Sequence, residues 1–359
     1  MIRLAVIGRN FVVDNMIKAM NFVSGIKLCG ICSRTAEGAE EFARRYGIGV
    51  EGRYVGIDAL AAADNIDAVY IATPNIFHEE QAVKLLASGK HVLVEKPAAV
   101  SARAYEHMFE TAKLNGVILM EGMMPLYMPG FYVIKRLIGK ITPIRRACLS
   151  YFQYSSRYDK FKNGVIENAF KPELGGGSLM DIGVYCAAMS EGLFGTPQRI
   201  SAESLFLENG IDGEGTAVMM YSGMMVDISY SKITDSVLQS QICGEEGCIA
   251  IDSVSRPHVI TLALRDGSTH VYDASHLDTD RYNMRRLDEV ALSSIEVGQD
   301  GLTPSESVDV LPDMTYELRH FVHLIENDSL QVSAREQMHT SQTLAVLDGI
   351  RQCCDIKFC

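Results

Sequence analysis

The chain has 359 residues, of which 47% are hydrophobic and 22% are charged, and this composition is typical of soluble globular proteins. Its formal net charge of −12 argues against nucleic acid and anionic membranes as partners, because both bind basic surfaces. No apolar run approaches the roughly 20 residues that span a bilayer, and the N-terminus lacks the charged and apolar regions of a signal peptide. We therefore expect a cytoplasmic protein that is long enough for two domains.

Short apolar strands and helices alternate through the first third of the chain. The predicted strands are Ile2–Gly8, Ile26–Cys32, Ala68–Ala72, the stretch that begins at His91, and Val117–Glu121. The predicted helices are Val12–Phe22, Ala36–Tyr46, Asp58–Ala63, His78–Ser88, and a helix to about Asn115 that Ser101 caps. This alternation with short connections predicts an α/β domain over residues 1–122, built on a doubly wound parallel sheet.

The first predicted strand leads into a turn where dinucleotide-binding proteins carry the pattern G-x-G-x-x-G. Here the turn reads Gly8-Arg9-Asn10-Phe11-Val12-Val13, so only the first glycine is present. Asn10 replaces the second glycine, and asparagine tolerates left-handed backbone better than most residues. Because the turn follows the first strand of a βαβ unit, we expect Gly8, Asn10 and Phe11 to contact a dinucleotide.

The end of the second predicted strand distinguishes NADP from NAD, since an acidic side chain there accepts the ribose 2′-hydroxyl. This chain has Ser33-Arg34-Thr35 instead. The Ser33 hydroxyl and the Arg34 guanidinium suit a 2′-phosphate, which arginine binds through forked hydrogen bonds. We therefore predict NADP(H) over NAD(H); the alternative is that Arg34 is an ordinary surface charge.

Two further strand ends carry polar residues, and ligands of open parallel sheets bind at that edge. Thr73, Pro74, Asn75 and Glu95 are expected to line the cofactor cleft. His78 opens the next helix, where it contacts the nicotinamide half or the substrate, or is simply a helix-start histidine.

Lys96 stands between Glu95 and Pro97, in the stretch His-Val-Leu-Val-Glu-Lys-Pro. Pro97 ends the strand because proline cannot donate to a sheet ladder, which places Lys96 where the strand leaves the sheet. A lysine at this point is either a catalytic group or a solvated loop charge, and spacing alone leaves both open.

Residues 123–359 form the predicted second domain, an α+β domain that begins with the helix Phe131–Ile138. Its predicted strands are Ile144–Tyr154, Arg199–Glu208, Thr216–Ser222, Met224–Lys232, Val237–Cys243, Cys248–Ser253, His258–Leu264 and Ser268–Asp273. Ser222-Gly223 and Asp266-Gly267 suit two-residue hairpin turns, so the large open sheet should be mainly antiparallel. Its second face needs cover, and either a partner subunit's identical sheet or helices would supply it.

The chain ends in a polar stretch and two predicted helices. Arg281–Ser307 lacks periodicity and is predicted to be a long loop, whereas Asp313–Asn327 and Ala334–Cys353 have helical patterns. These helices either stay with the second domain or pack back on the first.

One segment of the second domain combines a triple glycine with polar helix residues. Gly175-Gly176-Gly177 precedes a predicted helix to about Phe194, and glycines there allow close approach or positive φ. Leu179, Ile182, Cys186, Met189 and Leu193 make an apolar stripe at helical spacing. Asp181 and Tyr185 are four residues apart beside that stripe. They are either catalytic or a cap and a core tyrosine.

The nine cysteines do not indicate disulfides or a metal site. Cys29 and Cys32 lie within one predicted strand, where alternation puts them on opposite faces, and no second pair stands at zinc spacing. Cys353, Cys354 and Cys359 cluster without histidines nearby. We expect buried, reduced thiols and no bound metal.

Glu95-Lys96-Pro97, Ala72-Thr73-Pro74-Asn75 with His78, and the segment from Gly175 to Cys186 together resemble the glucose–fructose oxidoreductase/inositol dehydrogenase/MocA family across essentially the whole chain. Many members carry histidine where this chain has Tyr185. The Asp-x-x-x-Tyr version of the motif resembles the branch of dimeric dihydrodiol dehydrogenases and NADP-dependent xylose dehydrogenases. The resemblance implies a Rossmann domain, an open sheet used for oligomerisation, here a homodimer, and hydride transfer on sugars, polyols or dihydrodiols. An NAD-linked polyol dehydrogenase and a non-catalytic NADP-binding sensor are the alternatives.

The chemistry needs a group that gives or takes a proton when a carbonyl becomes an alcohol. Tyr185 is the candidate, and a neighbouring ammonium from Lys96 would lower its phenol pKa from about 10. Asp181 would orient Lys96 or a sugar hydroxyl, while either Lys96 or Tyr185 delivers the proton. Several aromatic residues are expected to shape the sugar pocket, namely Tyr154, Tyr158, Phe161 and Phe170.

Overall fold

A computed structural model of the protein describes residues 1–277, 292–298 and 310–358. The chain divides into two compact units, and both C-terminal helices contribute residues to each. The first unit consists of Met1–Met123 and Glu317–Leu344, and the second of Met124–Tyr316 and Ala345–Cys359.

The first unit contains a six-stranded parallel sheet in the order β3-β2-β1-β4-β5-β6. Its strands are β1 Ile2–Ile7, β2 Ile26–Ser33, β3 Arg53–Val55, β4 Ala68–Ile71, β5 His91–Glu95 and β6 Leu119–Gly122. This order is that of a doubly wound sheet, whose direction of winding reverses between β1 and β4. All four residues of β4 are buried, as expected for a strand covered on both faces.

Helices connect these strands, and polar side chains begin several of them. The helices are α1 Phe11–Met20, α2 Ala36–Tyr46, α3 Ile57–Ala61, α4 His78–Ala87 and α5 Ala102–Asn115. Thr35 Oγ1 accepts from Gly38 N at 3.1 Å to cap α2, and the predicted cap Ser101 Oγ accepts from Ala104 N at 3.2 Å.

The strand β3 has no counterpart among the predicted elements. It is only three residues long and buries only Tyr54, so it lacks the alternation that predicts a strand. It forms because β2 offers it a parallel partner, with Ile31 opposite Arg53.

The second unit contains an eight-stranded sheet in the order β14-β13-β12-β11-β7-β10-β9-β8. Its strands are β7 Ile144–Phe152, β8 Arg199–Phe206, β9 Asp212–Tyr221, β10 Met224–Ser231, β11 Ser240–Gly244, β12 Gly247–Ile251, β13 Val259–Leu264 and β14 Thr269–Asp273. Adjacent strands are antiparallel except β7 and β10, which are parallel. The predicted α/β plus α+β architecture, with a mainly antiparallel second sheet, is confirmed.

The two predicted hairpin turns differ in length. Ser222-Gly223 joins β9 to β10 as a two-residue turn, and Gly223 has φ +79°. The second turn is one residue longer than predicted, because Leu264 N donates to Ser268 O at 2.9 Å and three residues lie between them. Asp266-Gly267 is therefore part of a three-residue loop in which Gly267 has φ +90°.

Helices cover one face of the large sheet. They are α6 Pro129–Ile138, which packs on β12 and β13, and α8 Val184–Phe194, which packs on β7 and β10. Alternate residues such as Leu149 and Ile228 are fully or almost fully buried on this face. On the other face, Arg146 and Asp227 are partly exposed and form an ion pair of 2.6 Å.

The C-terminal helices are α9 Met314–Glu326 and α10 Leu330–Cys354; α7 is the short helix Tyr158–Lys162. Ser333 Oγ and Gln337 Nε2 of α10 both donate to Leu119 O of β6, at 3.3 and 3.1 Å, so α10 packs on the Rossmann sheet. The predicted loop Arg281–Ser307 lies outside the described residues except for 292–298. Among the helices of the described ranges, none is long and apolar enough to cross a membrane.

Candidate active site

Lys96 lies at the carboxyl end of β5 and is partly exposed. Glu95 precedes it; Tyr70 donates its hydroxyl hydrogen to Glu95 Oε1, while Glu95 Oε2 accepts from Lys96 N at 3.2 Å. The peptide bond between Lys96 and Pro97 is cis. The strand end therefore presents the lysine at the edge of the sheet where the sequence predicts it.

A buried glutamate holds the segment after Lys96. Glu121, on β6, is 4% exposed, and its Oε1 accepts from Ala98 N at 2.8 Å. Burial raises the Glu121 pKa to about 7, which Lys96 partly opposes by its charge. Sequence reasoning missed this role, because Glu121 sits at the end of an apolar strand and nothing local marks it as enclosed.

The loop after β4 carries Thr73, Pro74 and Asn75, all partly exposed. His78 lies behind this loop and is 0% exposed, with Nε2 2.9 Å from Thr73 O and Nδ1 3.0 Å from Pro97 O. Burial lowers the His78 pKa, while hydrogen bonds with the backbone of Thr73 and Pro97 oppose that shift. The structure thus places His78 as a buried link between the two loops, and its contact with the nicotinamide half or the substrate stays a prediction.

The turn after β1 shows the role of Asn10, which stands at the position of the second glycine of the pattern. A Cβ on Gly8, which has φ +118°, would lie 2.4 Å from Ala72 O. Asn10 Nδ2 donates to the same carbonyl at 3.1 Å, while its Oδ1 accepts from Val12 N and Val13 N at 3.1 and 3.2 Å. The expectation that Asn10 is there for left-handed backbone is wrong, because its φ is −94°. Its side chain caps α1 and ties β1 to the loop after β4.

Phe11, the first residue of α1, is 61% exposed. At the end of β2, Ser33 is partly exposed and Arg34 is exposed. Arg9 was not among the predicted site residues, yet its Nη1 and Ser33 Oγ both lie within 3.0 Å of where a Cβ of Gly38 would stand. The signal for Arg9 was its position beside Gly8 in the fingerprint turn.

The triple glycine of the second unit gives room to a buried carboxylate. A Cβ on Gly177, which has φ +112°, would lie 2.0 Å from Asp212 Oδ1. Asp212 is 1% exposed, and its Oδ2 accepts from Leu179 N at 2.6 Å. Burial raises the Asp212 pKa to about 7. The predicted close approach at these glycines is therefore an approach of Asp212 to the start of the helix.

That helix begins with one π-helical turn, Leu179–Gly183, and continues as α8. Asp181 lies on the π turn, where Lys232 Nζ donates to its Oδ2 at 2.7 Å. Lys232, which follows β10, was missed because a lysine at the end of an alternating strand gives no sign that it is enclosed. Of the predicted stripe, all but Leu193 is buried.

Tyr185 is partly exposed, and its ring packs edge-on against Tyr151 with centroids 5.6 Å apart. Lys96 belongs to the first unit, whereas Asp181 and Tyr185 belong to the second. That the ammonium and the phenol meet stays a prediction.

The four aromatic residues expected to shape a sugar pocket divide into two kinds. Phe161 and Phe170 are 5% and 1% exposed and pack with Ile211 in a small core. Tyr158 stacks on both rings, and Tyr154 lies edge-on to Tyr158 with centroids 5.6 Å apart. The two tyrosines are thus the outer members of an aromatic cluster.

Two family models match the chain. The one described as "Oxidoreductase family, NAD-binding Rossmann fold" matches residues 2–123, and the GFO/IDH/MocA C-terminal domain matches residues 138–250. The chain belongs to this GFO/IDH/MocA family of oxidoreductases, which confirms the predicted family. It is 38% identical to the scyllo-inositol 2-dehydrogenase (NADP(+)) IolU of Bacillus subtilis, over 98% of this chain and 97% of that protein.

Other similar proteins include the trans-1,2-dihydrobenzene-1,2-diol dehydrogenase of Xenopus tropicalis, which is 28% identical over 63% of this chain and 67% of its own. Among solved structures, the 3-ketoreductase KijD10 from Actinomadura kijaniata, in complex with NADP and TDP-benzene, has a TM-score of 0.79 at 20% identity. The match covers 98% of both chains. At this identity the likeness shows the fold.

Proposed function

We propose that the protein is an NADP(H)-dependent oxidoreductase that transfers hydride to or from a CH–OH group of a polyol or sugar, with cyclic polyols of the inositol type as the first candidates. The observation that carries this proposal is the 38% identity, along nearly the full length of both chains, to an NADP-dependent inositol dehydrogenase. Residues 1–122 then form the cofactor domain, on which Glu317–Leu344 packs, and the rest of 123–359 forms the substrate and oligomerisation domain. We place the enzyme in the cytoplasm.

The turn after β1 fits a dinucleotide. Gly8 lacks the Cβ that would collide with Ala72 O, which keeps the backbone open, and Asn10 orders the first turn of α1. The N–H groups at the start of that helix favour a pyrophosphate. Thr73, Asn75 and Glu95 stand at the neighbouring strand ends and would orient the nicotinamide half, whose ring supplies or accepts the hydride when bound.

Three features support NADP over NAD. The end of β2 carries Ser33-Arg34-Thr35 in place of an acidic residue, and Arg34 is exposed at that point. Arg9, which pairs with Glu41 at 3.6 Å, lies near Ser33. Two guanidinium groups and a hydroxyl suit the charge of a 2′-phosphate. The named cofactor of the Bacillus relative agrees with this preference.

Lys96 and Tyr185 would handle the proton. An alcohol that loses hydride must also lose its hydroxyl proton, and a phenol with a pKa near ~10 is a poor base at neutral pH. A neighbouring ammonium favours the phenolate and lowers that pKa, and it also stabilises the developing alkoxide. Asp181, one turn before Tyr185, would accept a hydrogen bond from a second hydroxyl of the substrate.

The glycine-poor turn is the feature that would favour a non-catalytic sensor. The structure supplies a different reason for it, since Asn10 caps α1 and ties β1 to the loop after β4. An intact candidate triad of Lys96, Asp181 and Tyr185 has no use in a sensor, so we favour the enzyme.

We further propose a homodimer through the exposed face of the large sheet. On this face the partly exposed Met220 and Met225 are directly opposite each other on β9 and β10, beside the Arg146–Asp227 ion pair. An apolar patch bordered by paired charges suits a self-complementary interface. Light scattering tests this: a Met225→Glu variant is expected to be monomeric, and a monomeric wild type would refute it.

The activity test follows absorbance of NADPH with scyllo- and myo-inositol, aldoses and trans-dihydrodiols as substrates, with NAD(+) in parallel. We expect turnover of at least one polyol with NADP(+) and a reduction of about 10²–10⁴-fold in Lys96→Met and Tyr185→Phe, with NADP(H) binding retained. Lys160→Met is the control variant, because Lys160 is an exposed lysine of α7 that pairs with Glu167. Wild-type binding of NADP(H) without turnover of any of these substrates would contradict the proposal.

A further inference from the structure

Lys232 carries a charge yet is enclosed at the end of β10. Its side chain is 2% exposed. Its backbone is held on both sides, because Lys232 N donates to Gly213 O and Ser155 N donates to Lys232 O, each at 2.9 Å. A buried ammonium is unfavourable unless polar partners surround it. The groups around Lys232 are therefore the clue to its role.

Among the described residues, three groups contact the ammonium. Lys232 Nζ donates to Asp181 Oδ2 at 2.7 Å and to Ala169 O at 3.2 Å. It also lies 4.9 Å from the centroid of the Phe170 ring, within the range of a cation–π contact. One side chain thus contacts the π turn and the segment before the triple glycine.

The ion pair is asymmetric. Lys232 is enclosed, whereas the Asp181 side chain is 37% exposed. The lysine is fixed by its backbone and by Ala169 O, so it acts as the anchor and Asp181 as the group whose direction is set. A carboxylate oriented in this way presents the same oxygen geometry to every substrate molecule.

The same ammonium also reaches the aromatic cluster. Phe170, under Lys232, stacks with Tyr158 at a centroid distance of 6.0 Å, and Tyr158 lies beside Tyr154. Lys232 thus contacts both Asp181 and the ring that stacks with Tyr158.

We propose that Lys232 is a positioning residue for polyol binding: its enclosed ammonium holds the Asp181 carboxylate in the direction that accepts a substrate hydroxyl. This inference rests on the proposed function and deepens it by adding a residue that touches no substrate. Removing the ammonium removes the hydrogen bond to Asp181 Oδ2 that sets the direction of the carboxylate, so binding of the polyol weakens while the hydride and proton steps keep their groups.

The test is a double-mutant cycle with Lys232→Met, Asp181→Asn and the double variant, measured as kcat and KM for the polyol and as Kd for NADP(H). In Lys232→Met we expect KM to rise about 10–100-fold, kcat to change less than about threefold, and the NADP(H) Kd to stay the same. In the Asp181→Asn background the lysine substitution is expected to add almost nothing, because it acts through the carboxylate.

Lys160, the exposed lysine of the Lys160–Glu167 ion pair, provides the matched control. Lys160→Met should leave the KM for the polyol unchanged. Effects of Lys232→Met and Asp181→Asn that add in full would overturn the inference while leaving the proposed function intact. A wild type that turns over no polyol would overturn both. If Lys232→Met does not fold, Lys232→Arg keeps the charge but moves it, and an unaltered polyol KM in that variant would likewise overturn the inference.

Discussion

Asp212 offers a test of the structure through the pH dependence of stability. The carboxyl is enclosed at the start of the helix that carries Asp181 and Tyr185, and burial raises its pKa from 3.8 to about 7. The folded state therefore keeps a proton that the unfolded state has already lost. The stability that this provides is complete below about pH 3.8 and is lost as pH rises through about 7.

The size of the effect follows from those two values. At roughly 1.4 kcal/mol per pKa unit, the interval from 3.8 to about 7 is on the order of 4 kcal/mol. Between about pH 5 and about pH 8, about 3 kcal/mol of that is lost. Asp212→Asn removes the titration, and the amide oxygen still accepts from Leu179 N.

Urea unfolding of the wild type and of Asp212→Asn at the two pH values measures the effect. We expect the free energy of unfolding of the wild type to fall by about 3 kcal/mol more than that of the variant. Asp266→Asn is the control: Asp266 is exposed, and hydrogen bonds from Ser268 lower its pKa, so no such loss with rising pH is expected. Equal pH dependence in wild type and Asp212→Asn would show that the carboxyl is ionised at acid pH and refute the argument.

Four further outcomes are expected. Gly8→Ala should weaken NADP(H) binding and destabilise the fold by about 2 kcal/mol or more, because its Cβ would meet Ala72 O at 2.4 Å, as chemical unfolding and fluorescence titration would show. Arg34→Ala should weaken NADP(H) about 10-fold or more and leave NAD(H) unchanged in the same titration, whereas equal losses would exclude a 2′-phosphate contact. The stability of Glu121→Gln should fall less than that of the wild type when pH rises through about 7, since burial raises the Glu121 pKa. Melting temperatures of both proteins at two pH values would measure this difference. In Tyr185→Phe, the pH profile of kcat should lack the limb that reports ionisation of the Tyr185 phenol. Retention of that limb would assign the proton transfer to another group.

Glu121 and Asp212 illustrate a common difficulty for sequence reasoning. Each carboxylate ends or begins a strand, where charged residues are usually solvated, yet each is almost fully enclosed and accepts a backbone N–H from another element. The partners are distant in sequence, Ala98 by 23 positions and Leu179 by 33. No local pattern reports such an approach.

Local order made the first domain predictable. Strand and helix periodicities, the cap at Ser101 and the proline after Lys96 act within a few residues, so the alternation that defines a doubly wound sheet is visible in the chain itself. The hairpin at Ser222-Gly223 similarly shows the antiparallel character of the second sheet. The short strand Arg53–Val55 was not predicted, because it is a strand only through its pairing with β2.

The sequence by itself determined the two kinds of sheet, the family and the candidate residues Lys96, Asp181 and Tyr185, because these depend on short-range patterns and on motifs. Only the tertiary structure decided that Lys232 pairs with Asp181 across 51 positions and that His78 is enclosed between two loops. The physical reason is that burial and electrostatic partners depend on which elements pack together, and the side chain that decides a charge's environment comes from a distant part of the chain.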